Sequence, residues 1–136
     1  MYAAATRDAA QRCICTFSKV VRIIGDSMKS YIQISTTTKT KEEAQKIARY
    51  LIEQKLAACV QITGPIESTY RWRGAVECAN EWLCLIKTQK ALFNKVQAAI
   101  KKLHSYETPE IIAVSIVKGS KEYLNWLDDE TENKSW

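Results

Sequence analysis

Apolar positions along this chain change period several times, and each change marks an element. Tyr31-Ile32-Gln33-Ile34-Ser35-Thr36-Thr37 alternates and is rich in branched residues, as a strand with one buried face does. Thr40-Lys41-Glu42-Glu43 then offers a capping box, with Thr40 as N-cap and Glu43 at the third helical position. Ala44, Ile47, Ala48, Leu51 and Ile52 follow at helical spacing and give one apolar face ending near Lys55. A second amphipathic helix is predicted from about Lys90 to Leu103, its face formed by Leu92, Val96, Ala99, Ile100 and Leu103.

Between the two helices lies the stretch on which the rest depends. Ala58-Cys59-Val60-Gln61-Ile62 reads as a strand, breaks at Thr63-Gly64-Pro65, and resumes as Ile66-Glu67-Ser68-Thr69-Tyr70-Arg71-Trp72. Gly74 supplies the positive φ that a hairpin reversal needs. The return arm contains Glu81-Trp82-Leu83-Cys84-Leu85-Ile86-Lys87-Thr88. Paired from the reversal to Thr88, that arm reaches ~45 Å at ~3.3 Å per residue, well beyond the ~20 Å of ordinary strands. A ribbon of that length overhangs its own domain and leaves open edges that need cover. Other copies of the same chain are the expected cover.

After the second helix, Pro109 stops helical continuation and biases Thr108 to extended geometry, so 104–110 is read as a loop. Ile111-Ile112-Ala113-Val114-Ser115-Ile116-Val117 is continuously apolar, which predicts a central strand. Ser120 can cap a last helix carrying Tyr123, Leu124 and Leu127. Strand, helix, strand, strand, helix, strand gives an antiparallel sheet with both crossover helices on one face. The expected fold is α+β: a ferredoxin-like βαββαβ sandwich with a long β-hairpin and a C-terminal helix. Residues 1–28 are read as an N-terminal extension and 29–136 as the domain.

Composition narrows the function classes. At 136 residues the length suits one domain, and a formal charge of +5 is mild. The lysines (Lys41, Lys46, Lys55, Lys95, Lys101 and Lys102 among them) are spread over helix faces, which describes a solvated surface and no nucleic-acid footprint. No run approaches 18 apolar residues, so no membrane span is expected. Five cysteines, an odd number without a Cys-x-x-Cys pair, argue against a disulfide framework and for a reducing compartment, the cytoplasm. The extension is rich in arginine and poor in acids, so organelle targeting through residues 1–28 is the alternative. Within it, Cys13-Ile14-Cys15 is too small a donor set for a metal, and Val20 to Ile24 reads as a short extra strand.

Several motifs, in order, resemble the CutA divalent-cation tolerance family. They are Leu56-Ala57-Ala58-Cys59-Val60, Ser68-Thr69-Tyr70-Arg71-Trp72-Arg73-Gly74, Leu85-Ile86-Lys87-Thr88, His104-Ser105-Tyr106-Glu107-Thr108-Pro109-Glu110-Ile111 and Tyr123-Leu124-Asn125-Trp126-Leu127. The resemblance runs from about Lys29 to Thr131. It implies a homotrimer of ferredoxin-like subunits linked to tolerance of copper and other divalent ions, non-enzymatic and without a required cofactor. It further implies a copper site made of a strand cysteine and two adjacent histidines. Those positions fall on Ser35, Leu103 and His104, so only one ligand of the three is retained and copper affinity is expected to fall.

His104 is thus the candidate metal ligand, against the ordinary reading of a lone histidine after a helix as a structural cap. Glu107 and Glu110 could add oxygen donors and make a weak, harder site, better suited to Mn, Zn or Mg than to Cu(I); the candidate divalent metal for the protein as a whole is Cu or Zn. Tyr70, Trp72, Trp82 and Tyr106 suit subunit interfaces or an intersubunit small-molecule cleft, as in PII-like signalling or scaffold trimers. Glu67, Glu77, Glu81 and Lys87 read as ribbon charges, solvated or paired at an interface. Cys59 and Cys84 read as core packing. A Cys59–His104 nucleophile pair oriented by Glu110 is the enzymatic alternative, weakened by the lack of an oxyanion loop or a Gly-rich phosphate cradle.

Overall fold

In a computed structural model of the chain, residues 29–131 are described. Strand β1 (Tyr31–Thr38) leads into helix α1 (Lys41–Glu53), followed by the hairpin of β2 (Cys59–Trp72) and β3 (Ala75–Gln89). A 3₁₀ turn at Lys90–Leu92 opens helix α2 (Phe93–Leu103), and β4 (Ile112–Ile116) and α3 (Lys121–Glu130) complete the order. The sheet runs β2-β3-β1-β4 with every pairing antiparallel. This is the expected ferredoxin-like arrangement with a long hairpin and a terminal helix. The readings of Cys13 to Cys15, of Val20 to Ile24 and of the extension as a whole lie outside the described residues.

Alternation in β1 decides which face is covered. Ile32, Ile34 and Thr36 are buried and the residues between them are only partly so. Cys84 and Ile86 of β3 join Ile32 and Ile34 under Ala44, Ile47 and Leu51 of α1 and Val96, Ala99 and Ile100 of α2, making one core. Helix α3 sits on the opposite face, held by Tyr31 Oη to Asp128 Oδ2 at 2.8 Å and Gln89 Nε2 to Thr131 Oγ1 at 2.6 Å. Ser120 caps α3 as expected, accepting from the Tyr123 amide at 3.2 Å.

The hairpin strands contain 14 and 15 residues, about 46–50 Å of ribbon at ~3.3 Å each. Arg73 and Gly74 form the reversal with φ of 51° and 84°, the pair of positive values that a type I′ turn requires. The sequence break at Thr63-Gly64-Pro65 is a bulge, where the register slips between Thr63 and Ile66 and the strand then continues. Gly64 is held there by contact: a Cβ would lie 2.7 Å from Trp82 Cε3 and 3.0 Å from the Glu81 carbonyl.

One expectation is corrected. Strand β4 is an edge strand paired only with β1, whereas its unbroken apolar run predicted a central position. Ile112 and Val114 remain 56% and 55% exposed on the single chain. Apolar side chains on both faces identify a strand that wants cover without saying whether its own chain supplies it.

Candidate cleft beside the outer half of the hairpin

The loop after α2 is built around one imidazole. His104 caps the helix in an extended conformation, with its side chain fully buried. Its Nε2 donates to the Thr37 carbonyl at 2.7 Å, and its Nδ1 accepts from the Tyr106 amide at 3.1 Å. These contacts define a neutral ring protonated on Nε2. Both nitrogens are therefore engaged inside the subunit. Glu43, expected to close a capping box on itself, receives the Thr40 cap through its own amide but sends its carboxylate elsewhere. That carboxylate accepts from the Ser105 amide at 2.6 Å and the Ser105 hydroxyl at 3.1 Å, fastening the start of the loop to α1.

So fastened, the loop faces the hairpin and borders an open cleft of about 800 Å³. Tyr70 and Trp72 of β2, Glu81 of β3, and Tyr106, Glu107 and Glu110 of the loop line it, together with Thr37, Ser68 and Thr69. Tyr106 donates its hydroxyl to Glu81 Oε2 at 2.7 Å. Burial, the bond to Glu81 and the negative charge around it push the Tyr106 phenol well above its usual range. Glu81 is 6% exposed, so of the two readings of a ribbon charge, solvated or paired at an interface, the solvated one does not hold. Glu81 pairs with Ile66, just past the bulge at Thr63-Gly64-Pro65. At the mouth, Arg73 reaches Glu107 at 3.0 Å and also lies over the Trp72 ring at 5.3 Å.

The remaining candidates separate from this cleft. Trp82 packs under Lys41, whose ammonium lies 5.6 Å from the ring centroid, and against the bulge at Gly64. Lys87 donates to the Gln61 side chain further along the hairpin. Cys59 pairs with Lys87, whereas the Thr37 carbonyl that holds His104 belongs beside Leu83, four residues along β3. The imagined nucleophile pair is therefore separated by roughly 13 Å of strand. Cys59 is half-buried, and its thiol, after burial, helps push the Tyr123 phenol up. Cys84 is fully buried; burial and then the Glu43 charge raise its thiol to about 11. Among the described residues no three His, Cys, Asp or Glu side chains gather as a metal site. His104, Glu107 and Glu110 share the loop, but only the two carboxylates face the cleft.

The CutA1 divalent ion tolerance protein family matches residues 32–130. The chain belongs to the CutA family. It is 44% identical over 105 residues to the divalent-cation tolerance protein CutA of Archaeoglobus fulgidus, covering 77% of this chain and all of that one. It is 39% identical over 102 residues to the chloroplastic protein CutA of Arabidopsis thaliana, covering 75% of this chain and 56% of that one. Among solved structures, the divalent cation tolerance protein of Thermus thermophilus superposes with a TM-score of 0.74 at 41% identity, over 75% of this chain and 99% of that chain. CutA1 from Oryza sativa gives 0.75 at 38% identity, over 77% and 96%.

Proposed function

We propose that this CutA-family chain works as a homotrimer in divalent-cation tolerance, without catalysis and without a required cofactor. The single observation that supports assembly is the hairpin: some 14 residues in each arm, with β2 and β4 left as open edges and apolar side chains bare on β4. Edges and faces of this kind are satisfied by further copies of the same chain. Divalent ions, copper and zinc among them, are in this reading weakly held cargo. Glu107 and Glu110 meet the ion at the cleft mouth, and neighbouring copies complete the donor set. His104 joins them only by releasing the Tyr106 amide from Nδ1. Free thiols on Cys59, Cys78 and Cys84 support a reducing compartment, the cytoplasm. The chloroplastic names of the plant relatives support the organelle alternative. Among the described residues no helix is long and apolar enough to cross a membrane.

Light scattering on the full chain, with calorimetric titration of Cu and Zn, tests this reading. A three-chain mass that persists on dilution and a weak, saturable heat are expected. A monomer that stays folded on dilution would overturn the assembly, and the absence of any metal heat would overturn the cargo.

A second reading is favoured by the cleft itself. At about 800 Å³ it lies within the ~300–1,000 Å³ of small-molecule sites, with three aromatic rings and a few convergent polar groups. In that reading the trimer is a PII-like signalling or scaffold protein holding a small ligand or a partner between subunits.

A further inference from the structure

We infer that the cleft beside the outer half of the hairpin takes a small organic cation, a protonated amine or guanidinium, anchored on Glu81. The inference rests on the second reading above and names the ligand class for that site. The sign of the charge comes first. Every charged side chain lining the cleft is a carboxylate, namely Glu81, Glu107 and Glu110. Arg73 neutralises Glu107 from the rim, which leaves the deeper charge uncompensated. Glu81 is also nine-tenths buried, yet only one donor, the Tyr106 hydroxyl, reaches it among the described residues. A carboxylate has room for about four hydrogen bonds, so with a single phenol on it Glu81 keeps acceptor positions open to the cleft it lines.

The walls point the same way. Tyr70, Trp72 and Tyr106 line the same cleft as the carboxylate, and the faces of aromatic rings attract cations. An N–H-bearing cation satisfies both features at once, giving donors to the open oxygen of Glu81 and charge to the rings. A bare divalent ion is served less well: it wants about four or more ligands, and among the described residues no three His, Cys, Asp or Glu side chains come together. The Tyr106 phenol, held protonated by its surroundings, keeps the first oxygen occupied and so fixes the direction of the second.

The test uses the full-length chain in chelating buffer, with agmatine and putrescine as cationic probes. n-Butanol serves as the uncharged control, and citrate and ATP as anions, all read by thermal shift and calorimetry. The cations should raise Tm saturably and n-butanol should not. Glu81→Gln should weaken the cations by about tenfold or more, the worth of one charge-assisted bond. Glu110→Gln, at the mouth, should weaken them far less. If Glu81→Gln does not fold, Glu81→Asp, which withdraws the carboxylate by one methylene, should show the same loss. Equal binding by the Glu81 variants would overturn the inference. Shifts with citrate or ATP and none with the amines would overturn it while leaving the cleft a ligand site. No shift with any organic probe would remove the ligand reading as well.

Discussion

Tyr106 and Glu81 are joined at 2.7 Å across the cleft, a loop phenol donating to a hairpin carboxylate that water scarcely reaches. Removing the hydroxyl leaves that carboxylate without a donor. Tyr106→Phe should therefore lower stability by about 2 kcal/mol, within the range for hydrogen bonds to charged groups. Urea unfolding at neutral pH measures it. The same pair predicts an alkaline response. The Tyr106 phenol is raised above its unfolded value of about 10, so the folded state keeps a proton that the unfolded state gives up. Its contribution is whole below about pH 10 and is lost as pH rises beyond it. Wild type should lose more stability than Tyr106→Phe between about pH 9 and 11, as read by paired denaturation curves.

His104 connects β1 to the loop through the Thr37 carbonyl and the Tyr106 amide. His104→Ala opens a cavity and strands both backbone groups, at a cost of about 2–4 kcal/mol. Denaturation and metal titration of the variant are read together. Lower stability with an unchanged metal heat is expected if the imidazole is chiefly a brace. A lost heat at unchanged stability would make it a ligand.

Ile112 and Val114 lie bare on a single subunit. Replacing both with Lys should cost an isolated subunit no more than about 0.5 kcal/mol each, as surface changes do. Under the proposed assembly the effect is much larger. Light scattering should show a fall in mass, and Tm should become dependent on protein concentration. An unchanged trimer would place the subunit contact elsewhere.

Gly64→Ala drives a methyl to 2.7 Å from the Trp82 ring and 3.0 Å from the Glu81 carbonyl. Overpacking of this sort costs about 1–3 kcal/mol. Because Glu81 moves with Trp82, the variant should also alter Trp fluorescence and the binding of any cleft ligand.

Local signals carried most of the fold. Thr40, Ser120 and Gly74 each act through chemistry complete within a few residues, and each appears where its type predicts. The apolar faces of α1 and α2 were legible for the same reason, since periodicity reports burial directly. The position of β4 was not, because burial by one's own chain and burial by a neighbour leave the same sequence pattern. The site divided along a similar line. Tyr70, Trp72 and Tyr106 were recognisable as amphipathic rings in exposed contexts. The burial of Glu81 depends on a loop 25 residues away, and the recruitment of Glu43 by Ser105 on a helix 62 residues away, neither of which spacing can express.

The sheet ends in two dissimilar borders, β2 on one side and β4 on the other. Copies that join border to border recruit one another by two different handles. A chain with only β4 spoiled would still be taken up through β2 and would then stall the circle it entered. Such a variant, produced beside the normal chain, should poison the mixture out of proportion to its abundance.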